Sequence, residues 1–351
     1  MTSRRAFLAG FGATALMAGP TWADVGNPVF VAAGKTQAGY VLHGLDAGAK
    51  TVFSLPLPDR GHAAAVHPLR PQAVAFARRP GIFGLVFDCL TGDVLSTLTP
   101  PAGRQFNGHG AFSPDGQLLL TSEVVAEGSA GKIGLWDTRD YRRLGEWNSG
   151  GIGPHDIKLD PAGGLIIANG GIETDPSDRT KLNVEDMKPN LTRLSPDGQI
   201  LDQAELPREL NKNSIRHLAL IGETIAFAMQ WEGDIAEPVP LLGLWVPGTK
   251  PRLCPAADHE MLTMKGYAGS IAAHANRIAV TSSKGGAVML FDISGEPITT
   301  FRRADLAGVA PNRTGFVASD GNGALWQVTD DGLTLIRKDV PMWDNHLVAI
   351  G

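Results

Sequence analysis

One pattern recurs along this chain: an apolar strand that ends in Asp or another turn residue, a tight turn, and a further strand. It occupies residues 40–46, 83–88 and 133–137, returns in degraded form at 191–195 and 242–247, and appears again at 288–292 and 325–330. The repeat length is roughly 40–50 residues of strand and turn alone, which is the spacing of propeller blades. A second pair of strands precedes most of these anchors. Residues 109–117 read as a strand and turn and 118–123 as the returning strand, and the same unit recurs at 156–169, 217–230 and 270–282. Their small and β-branched residues suit strands packed between neighbouring sheets, and turns of the Pro-Asp-Gly type join them. High counts of Gly (43) and Pro (24) fit so many turns.

The two ends of the chain complement each other. Residues 29–33, 40–46 and 51–55 supply three strands of a blade that lacks its innermost one, and residues 346–350 supply one strand with nothing after it. Pairing the tail with the head closes a ring and leaves no open sheet edge at the seam. The predicted fold is therefore an all-β, seven-bladed β-propeller over residues 24–351, its first blade closed by the C-terminal strand. A polar insertion at 172–190, between the second and third strands of the fourth blade, reads as a long surface loop.

The first residues carry a separate message. Ser3-Arg4-Arg5-Ala6-Phe7-Leu8 matches a twin-arginine export consensus. The apolar stretch behind it is too short to anchor in a bilayer. Small residues around Ala23 predict cleavage before Asp24, so residues 1–23 read as a signal peptide and the mature chain as periplasmic. The net charge of −5 and the absence of basic runs argue against a nucleic-acid partner. Cys89 and Cys254 fall in distant units and read as two free buried thiols.

All inner strands of a propeller run the same way along the channel, so residues at their starts gather at one mouth. Five of the nine histidines lie there: His62, His109, His155, His217 and His346. Asp156, Arg216 and Asn345 flank them. The ends of the second strands reach the same face with Lys35, Arg78, Arg79, Glu123, Asn169, Gln230, Glu232, Lys284 and Asp320, and Trp231 sits there too. The candidate metal ligands are the five histidines with Glu123, Asp156 and Glu232. Neutral imidazole with nearby carboxylate suits iron, copper or another transition metal, or haem iron. The candidate contacts for an organic or anionic ligand are Arg78, Arg79, Asn169, Arg216, Gln230, Trp231 and Asn345, with Trp231 as a stacking surface. The histidines can equally be structural, since Gly61-His62 and Gly108-His109 resemble the Gly-His dipeptide of WD repeats. No zincin, covalent-haem, serine-hydrolase or phosphate-loop motif is present.

Asn169-Gly170-Gly171-Ile172, Arg216-His217-Leu218, Gln230-Trp231-Glu232, Gly269-Ser270-Ile271 and Trp343-Asp344-Asn345-His346, together with the leader, resemble the bacterial domain-of-unknown-function family 1513. The resemblance implies a periplasmic propeller, often encoded beside imelysin-type iron-regulated proteins and a di-haem oxidoreductase. It thus implies an accessory role in iron acquisition, with those proteins as partners, but carries no assigned catalytic residue. Two rival readings are an enzyme and a docking scaffold without a small ligand. The enzyme would be either a dehydrogenase-associated propeller or a metal-dependent lactonase using Glu123, Asn169 and Asp156 on one ion.

Overall fold

The computed structural model describes residues 20–78, 81–338 and 341–350. Arg79 and the twin-arginine segment lie outside these. The described strands form seven four-stranded antiparallel sheets arranged as propeller blades. Their innermost strands, taken in blade order, are Met342–Ala349, Gly61–Val66, Arg104–Phe112, Pro154–Leu159, Asn213–Ile221, Ser270–His274 and Leu306–Asn312.

The tail closes the head as the incomplete ends require. Met342–Ala349 pairs antiparallel with Phe30–Thr36, from Phe30 opposite Ala349 to Lys35 opposite Met342. The first blade thereby gains its inner strand from the far end of the chain.

The blades are held by what lies between them. Second strands such as Gln72–Ala77, Leu165–Asn169 and Gly315–Asp320 are buried on both faces, because each is pressed between two neighbouring sheets. That explains their continuous apolar runs, where a one-sided sheet would alternate. Phe227, fully buried between the fourth and fifth blades, contributes about 2–3 kcal/mol by leaving water. Outermost strands such as Val94–Leu98 keep most of their side chains partly or fully exposed. Cys89 and Cys254 are free and buried in different inter-blade clusters. Burial pushes their thiols up, to about 12 and about 11.

Ahead of the first strand, Trp22–Val25 forms a short 3-10 turn, and the Trp22 indole donates to the His67 carbonyl at 2.9 Å. One α-helix, Asp258–Thr263, is present among the described residues, and none of their helices is long and apolar enough to cross a membrane.

Candidate metal centre at the channel mouth

The inner strands do not run in regular register at the mouth. Pairing with the second strand shifts between Gly61 and Ala64, Phe106 and Gly110, Pro154 and Ile157, Ile215 and His217, and opposite residues 343–347 in the closing strand. His62, His109, His155 and His346 lie inside four of these irregularities, and His217 is the first residue after the fifth. A β-bulge breaks the in–out alternation and re-aims a side chain. The sixth blade pairs without a shift, and the seventh carries Ala307 and Gly308 in its own irregularity. Five blades therefore send an imidazole to the axis and two do not.

The five rings form one cluster. Centroids are 4.5 Å apart for His62 and His346, 4.7 Å for His155 and His217, 4.8 Å for His109 and His155 and 4.8 Å for His217 and His346. Nε2 of His346 lies 3.3 Å from Nε2 of His62. Two triads, His62 with His109 and His155, and His109 with His217 and His346, each place one ring nitrogen per residue within 4.8 Å of the others. Gly108 makes room for this. Its φ is +96°, and a Cβ there would fall 2.3 Å from Cδ2 of His62.

Four of the rings are held neutral. Burial, and then the other imidazoles, depress the protonation of His62, His155 and His346 well below the ordinary range. Burial with the proximity of His109 takes His217 down to about 3. Several ring nitrogens have no hydrogen-bond partner, namely Nδ1 of His62, Nε2 of His109 and Nδ1 of His155. Buried polar atoms are ordinarily satisfied, so three orphans in one cluster are exceptional. Asp156 supports the cluster from the side. Its Oδ1 lies 3.4 Å from Nδ1 of His109, and its Oδ2 accepts the Leu218 amide at 3.0 Å. Burial opposes its charge, but Lys158 and His109 outweigh that and hold the carboxyl well below its usual range.

The imidazoles separate two cavities. On one side lies a channel of about 470 Å³ walled largely by alanine and other apolar residues of the inner strands, with Asp156 and Lys158. On the other, towards the mouth, lies a cup of about 270 Å³ floored by His62, His155, His217 and His346. Its walls carry Arg78, Arg179, Lys181, Arg216, Lys284, Glu232, Tyr267, Gln230 and Asn345.

Of the other residues singled out in the sequence, Gln230, Glu232, Arg78, Arg216 and Asn345 reach this cup. Glu123 does not. It is fully buried inside the third blade, where its carboxylate accepts from Nη1 and Nη2 of Arg143 at 2.7 and 2.9 Å and from Thr121 at 2.7 Å. Asn169 is spent on a buried network with Ser149, Asn190 and Thr192. Trp231 turns its indole to the Asp234 carbonyl at 3.0 Å and lines neither cavity. Glu232 lines the cup, where it is ion-paired with Lys181. Glu123, Asn169 and Asp156 therefore do not converge on one ion, as the lactonase reading required. Among the described residues, the groups of metal-binding type are histidine triads alone.

Arg179 and Lys181 carry no signal in the sequence. They belong to the 172–190 insertion, which is not merely an outlying loop. Asn183 accepts from the Glu173 amide and donates to the Gly171 carbonyl, Lys212 grips Glu185, and Lys181 reaches Glu232 of the fifth blade. These ties fold the loop over the mouth. Tyr267, beneath Lys284 at 4.7 Å, was also not singled out.

No curated protein matches the chain. Among solved structures, a chain from "Crystal Structure of Mitotic Checkpoint Complex" aligns with 78% of this chain and 75% of its own, at 10% identity and a TM-score of 0.54, a likeness of fold alone. The model of the family described as "Protein of unknown function (DUF1513)" matches residues 55–350, and the chain belongs to that family.

Proposed function

We propose that this protein is an exported binding protein that holds one transition-metal ion, iron or copper, in the five-imidazole cluster, as an accessory factor in iron acquisition in the periplasm. The observation that carries the metal reading is the pair of histidine triads sharing His109, in which Nδ1 of His62, Nε2 of His109 and Nδ1 of His155 lack hydrogen-bond partners. Imidazole is a good ligand for iron, copper, nickel and zinc, and only its neutral form binds. Asp156 facing Nδ1 of His109 leaves Nε2 of that ring as the donor, the usual arrangement for an oriented metal histidine. Nitrogens bound at about 2.0–2.1 Å stand roughly 3–4 Å apart around an ion. Small ring rotations bring the observed groups, now within 4.8 Å, to that span. Ring centroids spaced 4.5–5.7 Å apart leave no slot for a porphyrin plane, which favours a bare ion over haem. The iron-uptake setting and the imelysin-type and di-haem partners rest on the family resemblance, and export rests on the twin arginines.

The test is titration of the purified mature chain with Cu(II), Fe(II), Fe(III) and Zn(II), read by calorimetry and, for Cu(II), by nitrogen hyperfine structure in EPR. One ion per chain at micromolar affinity or better is expected, with loss in His109→Ala, the member common to both triads. Failure of every ion to bind sinks the reading.

A further inference from the structure

The imidazole floor is only half of what faces the mouth. The walls above it bear five cations, Arg78, Arg179, Lys181, Arg216 and Lys284, against one carboxylate, Glu232, which Lys181 already engages. Arg216 is the telling member. It is 5% exposed, it reaches the cup from the irregular start of the fifth blade's inner strand, and its Nε has no hydrogen-bond partner. No carboxylate forms an ion pair with Arg78, Arg179 or Lys284 among the described residues. A buried guanidinium without an anion is costly to maintain. Folding a loop of the fourth blade across the mouth, so that Arg179 joins Arg78 and Arg216, increases that cost. Such an arrangement is stable when a counter-charge arrives from outside.

We propose that the cup is a binding site for a small, multiply charged oxyanion, a polycarboxylate or a phosphate, which sits on the imidazole floor and caps the ion held there. Three guanidinium groups offer the planar, paired donors that carboxylate and phosphate oxygens accept. The Asn345 and Gln230 amides and the Tyr267 hydroxyl supply neutral contacts; Asn345 already donates to Tyr267 at 3.3 Å. The size is restrictive. The cup, about 270 Å³, is small for a ligand pocket. That suits a small organic acid or inorganic anion. The anion site stands on the cup's own charges. Only its capping of the metal rests on the metal reading above.

Calorimetry with citrate and, separately, inorganic phosphate, on the mature chain with and without its metal, tests this. Saturable binding of at least one anion at millimolar affinity or better is expected, weakening as salt is raised. Arg179→Gln and Lys284→Gln, both at exposed positions, are each expected to weaken it three- to tenfold, and Arg216→Gln to abolish it. If the anion caps the ion, citrate and metal tighten one another by the same factor. Absence of saturable binding by both anions, or affinity unchanged in the Arg179→Gln/Lys284→Gln double variant, overturns the proposal. Anion binding without any metal binding upholds the cup and removes the metal reading. Metal binding without anion binding does the reverse.

Discussion

The carboxylate of Asp344 accepts from Nε and Nη2 of Arg60 at 2.5 and 3.1 Å, joining residues 284 positions apart in sequence. Arg60 leads into the inner strand that carries His62, and Asp344 stands two residues before His346. The pair therefore pins the closing strand beside the second blade, where the two histidines meet.

Asp344→Asn keeps the shape and removes the charge. The guanidinium is half-exposed, so the expected loss is modest, about 1–2 kcal/mol of unfolding free energy. Urea denaturation reads it. Metal affinity should fall as well, since the positions of His62 and His346 depend on this seam.

Glu123→Gln separates a structural carboxylate from a ligand. The change leaves Arg143 without its fully buried partner and is expected to cost about 3 kcal/mol, seen as a lower midpoint in chemical denaturation. Metal stoichiometry and affinity should stay as in the native chain, because this carboxylate never faces the imidazoles.

Gly108→Ala attacks the cluster through the backbone. A side chain at φ +96° is strained by about 1–3 kcal/mol, and its Cβ would collide with the His62 ring. His62 must then rotate away. Metal affinity is expected to drop tenfold or more, with a smaller fall in the thermal midpoint.

Acid should loosen the metal-free protein. His217 keeps its proton off down to about 3, whereas the unfolded chain takes one up near 6.5. Its contribution to stability is complete above about 6.5 and drains as pH falls towards 3, at about 1.4 kcal/mol per pH unit within that window. His62, His155 and His346 shift in the same direction and steepen the fall. Thermal melts between pH 7.5 and pH 4.5 check this.

Seven blades and the closing strand were legible because their signal is periodic and the two ends of the chain are separately incomplete. The five histidines were legible for the same reason, since the start of an inner strand can be located from the repeat alone. Glu123 and Asn169 misled because they lie on the correct strands, but their direction is decided by partners on other strands. Arg143, on the outermost strand of the third blade, claims the first, and Ser149, Asn190 and Thr192 claim the second. Arg179 and Lys181 could not be found in a segment without periodicity, because the path of that loop is set by long-range pairs such as Lys181 with Glu232. The bulges were equally invisible, since no local pattern reports a register shift.

The donor ring also has a meaning in time. Its members come from five sheets, and the last arrives on Met342–Ala349, after every other blade has been synthesised. Contacts between such distant parts of a chain form late, because the entropy of bringing them together must be overcome first. A nascent chain offers at most four imidazoles, not yet gathered by a finished disc. Were the proposed ion to engage His62 and His346, whose Nε2 atoms lie 3.3 Å apart, it would act as a rivet across the youngest joint of the molecule, tying its capture to completion of the disc.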